Sequence, residues 1–168
     1  MAEWVYKLKR PRASYADTHE LAISNHFLCM SAFTHDVGPE RVREVERVAE
    51  IAVGDVIHYY YRTPEGHVRS FGSFRVCDGS EFPDMFSPCE GHGSLVRVVD
   101  GPENRHMVRR LVRGYSHDPK LAAFTGWAIE KLPVDYRTPG FNQVGMFPTL
   151  TTNLWRYPDE TLPRAKAS

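Results

Sequence analysis

From Glu3 to Lys9 the side chains alternate, with Trp4, Tyr6 and Leu8 on one side and Val5, Lys7 and Lys9 on the other. A period of two predicts a strand with one apolar and one partly charged face. Arg10-Pro11-Arg12 ends it, because proline brings no amide hydrogen to a ladder. The following piece, His19 to Cys29 (HELAISNHFLC), fits a short helix and a strand equally well. Between Gly38 and Ala52 the spacing becomes helical. Pro39 suits a first turn, Glu40 sits where the helix dipole favours a carboxylate, and Val42, Val45, Val48, Ala49 and Ala52 form an apolar stripe, which predicts a helix over 39–52. The charges on its other face read as solvated neighbouring pairs.

Gly54-Asp55 stops that helix. Val56 to Tyr61 (VIHYYY) is β-branched and aromatic, the run Arg62-Thr63-Pro64-Glu65-Gly66 has turn chemistry, and His67 to Cys77 returns, so a hairpin is predicted. A loop rich in Gly, Pro and Ser spans 78–93 before Ser94 to Val99 resumes alternation. Arg105 to Arg113 sets Met107, Arg109, Leu111 and Arg113 opposite Val108, Arg110 and Val112, which predicts a second strand pair around residues 100–104. Leu121 to Leu132 is a further apolar segment, in which Gly126 admits a close approach just before Trp127. Past Pro133 the prolines suit loops and edge strands, and residues 158–168 read as a flexible tail. Short strands without crossover helices predict an α+β fold, a small mixed β-barrel with one clear helix after the first strand.

Composition narrows this further. The 168 residues, 42% of them hydrophobic and 25% charged, suit one domain. The balance of 21 Lys+Arg against 21 Asp+Glu argues against wholesale polyanion binding and leaves room only for a local basic strip. No apolar run approaches the roughly 18 residues of a membrane span, and MAEWVYKLKRPR lacks a signal peptide's apolar stretch, so a cytoplasmic protein without a membrane partner is expected. Cys77, Cys89 and His92 could supply three zinc ligands, yet no fourth is evident and Cys29 stands apart; the reading is reduced thiols, no metal and no cofactor.

One arrangement is more specific: a strand bearing Trp4, a helix, then Gly54-Asp55-Val56-Ile57-His58-Tyr59-Tyr60-Tyr61, a turn, and Gly72-Ser73-Phe74-Arg75-Val76. Over residues 3–77 this order resembles the PUA-like superfamily, in particular its EVE and ASCH branches. Where that pattern often has a His-Ser pair, this chain has Tyr61-Arg62. The resemblance implies a pseudobarrel that binds DNA or RNA and, in EVE-like and related YTH-like branches, an aromatic pocket that accepts a modified base.

A base reader needs aromatic planes, a group to read the base edge, and cations for phosphates. The aromatic candidates are Trp4, Tyr59, Tyr60, Phe71, Trp127 and Trp155, the edge readers Ser24, Asn25 and Ser73, and the backbone cations Lys7, Lys9, Arg10, Arg12, Arg69, Arg109 and Arg113. Each has a plainer role as core filler, cap or solvated face. Motifs of catalysis are absent: there is no G-x-S-x-G, Walker loop, G-x-G-x-x-G or HExxH. Two alternatives stand beside the reader. One is an ASCH-like nucleic-acid hydrolase using Lys7, His58 and Tyr60; the other is a barrel that holds a small apolar ligand.

Overall fold

A computed structural model describes residues 1–8, 13–29, 48, 50–63, 65, 67–89, 93–99, 101–114, 125–136, 138–139 and 154–157, with the backbone alone at 8, 13–16, 62, 111–114 and 155. In chain order the elements are β1 (Glu3–Leu8), α1 (Ala13–Ser24), β2 (Phe27–Cys29), β3 (Val56–Arg62), β4 (Val68–Val76), a 3-10 turn (Gly79–Glu81), β5 (Phe86–Pro88), β6 (Val96–Val98), α2 (Arg105–Gly114), β7 (Thr125–Lys131) and β8 (Leu154–Tyr157). The fold is α+β and sheet-dominated.

The eight strands run in the order β5-β6-β7-β4-β3-β1-β8, with β2 paired to β7. The β1–β3 ladder is parallel and the remaining ladders are antiparallel. Among the described residues no ladder joins β5 to β8, so the sheet is open where a closed barrel was expected. Its end strands have three and four residues, which leaves little ladder for the tilt and stagger that closure requires.

The carboxylate of Asp55, in the turn before β3, holds the two parallel strands together. Its oxygens accept from the Ala2 amide at 2.9 Å, the Trp4 indole N–H at 3.1 Å and the Ala52 amide at 3.0 Å. The adjoining Val56 amide donates to the Ala2 carbonyl at 2.9 Å, and the register then pairs Glu3 with Val56 and Val5 with His58. The predicted hairpin follows as β3 and β4. Pairing steps from Tyr59–Gly72 to Tyr60–Ser70, so Phe71 is the extra residue of a bulge. Gly72 beside it has φ of 125°, a conformation that costs glycine little and other residues much.

Three local predictions are corrected or divided. HELAISNHFLC is both alternatives in turn: α1 runs to Ser24, His26 takes a left-handed φ of 61°, and β2 begins at Phe27. The segment predicted as a strand over 105–113 is α2. RHMVRRLVRG satisfies both periods, since Met107 and Leu111, like Val108 and Val112, also stand four apart, and the strong helix formers Arg, Met and Leu decide the matter. Asn104 anchors its start, donating through Nδ2 to the carbonyls of Met85 at 2.8 Å and Val99 at 2.9 Å. Of the helix predicted over 39–52, Val48 and Glu50 are helical, one buried and one exposed as the stripe requires, but Ile51 and Ala52 are not helical, and it is Ile51 that is buried while Ala52 of the predicted stripe is exposed; residues 39–47 and 49 lie outside the described residues, as do 158–168.

Alternation then gives the sheet two unlike faces. One carries the main core, including Trp4, Tyr6, Ile57, Tyr59, Phe71, Phe74 and Trp127; the other carries a small cluster of Val5 and Tyr60 with Val68 and Tyr157. No helix among the described residues is long and apolar enough to cross a membrane.

Replacing Asp55 by alanine leaves three N–H groups without their acceptor, at about 1–3 kcal/mol each where water cannot reach them. Only the Trp4 N–H is fully buried, so urea unfolding of Asp55→Ala should show a loss of about 2 kcal/mol; a loss below about 1 kcal/mol would mean that this carboxylate does not hold the register.

Candidate functional site

The aromatic candidates divide between the two faces. Tyr59 stacks on Phe71 at 4.6 Å, Tyr61 lies 4.4 Å from Phe71, and Tyr6 meets Tyr59 at 5.0 Å and Trp127 at 5.7 Å edge to face. Trp4 and Trp127 are 2% and 0% exposed within this packing. Tyr60 points to the opposite face, where its hydroxyl donates to the Pro139 carbonyl at 2.9 Å and burial pushes its phenol up to about 12. Trp4, Tyr60 and Trp127 therefore do not line one concavity among the described residues. The side chain of Trp155 lies outside them.

Trp127 has one unusual property: its indole N–H is buried and has no hydrogen-bond partner among the described residues. The glycine before it does admit a close approach, and the approaching group is the chain itself. A Cβ on Gly126 would collide with the Leu28 carbonyl oxygen and lie 2.9 Å from the Phe27 ring. The proposed edge readers Ser24 and Asn25 cap α1, donating to the Leu21 carbonyl at 2.7 and 2.8 Å.

The cations are better placed than the alternation argument supposed. Once 105–114 is a helix, Arg105, Arg109 and Arg113 fall on one line at four-residue spacing, with His106 and Arg110 on the neighbouring line. Arg105, His106 and Arg109 are exposed and Arg110 half-buried; none of these is ion-paired among the described residues, and α2 contains no acidic residue. Met107 is buried and seats the helix, which packs against α1. Arg69 is exposed on β4, away from the helix in sequence, and Lys7 is half-buried on β1. Lys9, Arg10 and Arg12 lie outside the described residues, as does the side chain of Arg113.

On the polar face the residue nominated for catalysis has partners that the sequence reading did not assemble. His58 is fully buried; its Nδ1 lies 2.7 Å from the Ser73 hydroxyl and its Nε2 2.9 Å from Glu3 Oε1. An ionised carboxylate only accepts, so Nε2 carries the hydrogen toward Glu3 and Nδ1 accepts from Ser73. Desolvation holds the imidazole below its ordinary pKa, against the opposing pull of Glu3, so the ring is neutral at pH 7. Tyr136 donates to Glu3 Oε1 at 3.4 Å and its ring centroid lies 6.0 Å from that of His58. Glu3 was legible only as the first residue of the Val5 and Lys7 face; Tyr136 carried no sequence signal.

Burial pushes Cys29 up to about 12 and Cys77 to about 11, and no group of three or more His, Cys, Asp or Glu among the described residues could hold an ion. His92 lies outside the described residues. The chain matches no protein-family model and no curated protein.

A third histidine supplies a pH test. His19, on α1 against Tyr59 and Phe71, is lowered to about 4 by burial. Its neutral form is the folded form, so its contribution is complete above the unfolded value near 6.5 and is lost as pH falls from there toward 4. That span corresponds to about 3 kcal/mol, to which the lowered His58 adds in the same direction. Unfolding curves between pH 7.5 and 4 should show this acid-side decline, and His19→Phe should flatten most of it; a parallel decline in the variant would assign the effect elsewhere.

Proposed function

We propose that the chain is a nucleic-acid-binding domain of PUA-like type, which lays α2 along the phosphates of a single strand and takes one modified base. The observation that carries this is the line of arginines on α2, of which Arg105 and Arg109 are exposed and without an ion pair among the described residues. In a chain of zero formal net charge, a ten-residue helix with four arginines, a histidine and no acid is a concentrated positive strip. Arg105, Arg109 and Arg113 stand about 6 Å apart and span about 12 Å along the axis, a row long enough to meet several consecutive phosphates. Guanidinium groups suit phosphate oxygens better than ammonium groups do, through paired N–H donors.

The PUA-like assignment is supported by part of the element order: the Trp4 strand pairs with β3 through the Asp55 bonds, and the Gly54-Asp55 turn leads into the β3–β4 hairpin, while of the helix that precedes this turn in the resemblance only Val48 and Glu50 are described as helical. The open sheet departs from the closed pseudobarrel which the resemblance implies. Base reading rests on the resemblance and on the unpartnered N–H of Trp127, which is sealed in the core and meets a base edge only if the packing of Tyr6 around it opens.

For single-stranded oligonucleotides, log K should fall with log salt at a slope near −0.7 per phosphate contact, giving about −2 to −3 for this helix. Arg105→Ala with Arg109→Ala should make the slope shallower by about 1.4 and weaken plain and modified strands alike. Trp127→Ala would open a large core cavity, so Trp127→Phe is the informative change: it removes the N–H at a smaller loss of core volume and should weaken the modified strand selectively. An unchanged salt slope in the arginine variant would overturn the phosphate assignment, and equal binding of both strands by wild type would overturn base reading.

A further inference from the structure

We propose that Ser73, His58 and Glu3 form a separate reactive centre, a serine nucleophile that accepts the acyl group of a small carboxylic ester. The three side chains come from adjacent strands β4, β3 and β1 on the face opposite the aromatic core. His58 and Ser73 are direct partners across the hairpin, which sets Oγ 2.7 Å from Nδ1, while the parallel register brings Glu3 within 2.9 Å of Nε2. This is the nucleophile, base and orienting carboxylate of acyl transfer, with the imidazole nitrogens used in reverse of the usual order. The carboxylate compels the one neutral tautomer whose lone pair faces the hydroxyl.

Burial limits the substrate's size and sets the route in. Ser73 is 4% exposed and His58 0%, whereas the Glu3 side chain is 29% exposed. Among the described residues the cover is the segment after β7 together with Tyr157 of β8: the Leu132 amide donates to the Ser73 carbonyl at 2.9 Å, Tyr136 reaches Glu3 at 3.4 Å, the Pro139 carbonyl accepts from Tyr60 at 2.9 Å, and the Tyr157 ring stands edge-on to His58 at 6.1 Å. Tyr136, tied by the longest of these bonds, is the part that must swing aside.

In the acylation step the Ser73 oxygen bonds to the ester carbonyl carbon as its proton passes to Nδ1. The bond to the leaving alkoxide then breaks, and the alcohol departs with that proton. Water attacks the acyl-serine, gives a proton to Nδ1 and releases the carboxylic acid, and the proton returns to Ser73. The sum is ester plus water to acid plus alcohol, with His58 neutral at the end. Ser73 and His58 are the catalytic residues and Glu3 a positioning residue.

The test is covalent labelling of the folded full chain with a small fluorophosphonate, located by mass spectrometry, alongside release of p-nitrophenol from its acetate ester. One equivalent on Ser73 is expected, absent in Ser73→Ala. Glu3→Gln should lower the rate on the order of 10²-fold or more. Tyr136→Ala should raise it by uncovering the site. The wild-type rate should climb with pH below 6.5 and level off above, as the neutral imidazole forms. No adduct on folded wild type or Tyr136→Ala, an adduct elsewhere, or an equal rate in Glu3→Gln would overturn the proposal. Circular dichroism and melting temperature of each variant separate loss of reactivity from loss of fold.

Discussion

The Asp55 carboxylate is the constraint on which the other contacts depend. Parallel strands cannot be registered by a tight turn, since their connection is long, so something else must fix which residue of β1 lies beside which residue of β3. Three N–H donors converging on one buried acidic side chain do this, from Ala2 at the strand's start, Trp4 within it and Ala52 in the preceding turn. A one-residue slip would exchange the faces of β1. Trp4 and Tyr6 would leave the core, and Glu3 would leave His58.

From that register follows a division of labour across the sheet. The aromatic face is sealed by mutual edge-to-face and stacked contacts, and its polar atoms include the His19 ring, the Tyr59 hydroxyl, the Trp4 N–H held by Asp55 and the Trp127 N–H, which has no partner among the described residues. The other face places charged groups at its margin, where Arg75 bridges Glu130 at 2.8 Å and Glu81 at 3.2 Å, and buries His58 between Ser73 and Glu3. The arginines of α2 stand apart from both, on an element seated by Met107 and Asn104. The proposed phosphate contact and the proposed acyl chemistry thus draw on separate side chains, so each can fail without the other.

Features governed by neighbours in sequence were legible before the fold was known. The strand of Glu3–Leu8, the hairpin of Val56–Arg62 with Val68–Val76, and the close approach at Gly126 all follow from alternation, turn residues or a missing side chain. The error at 105–113 has a local cause as well, because a sequence that places apolar residues at both two and four positions apart fits either period, and valine content misled. Closure of the sheet was not legible, being a property of how strand ends meet. The pairing of Glu3 with His58 required the parallel register, and the filled state of the space around Trp127 required the packing of Tyr6 and Tyr59. Reading the arginines as a strand dispersed them over two faces; as a helix they become one line, which strengthened the case for phosphate contact.

Backbone amide chemical-shift mapping during titration with a short single-stranded oligonucleotide tests that case most directly. The account predicts that saturating strand shifts the amides of residues 104–110 on and before α2, and that these shifts reverse on adding salt. Perturbations that leave α2 untouched while the strand is bound would contradict it.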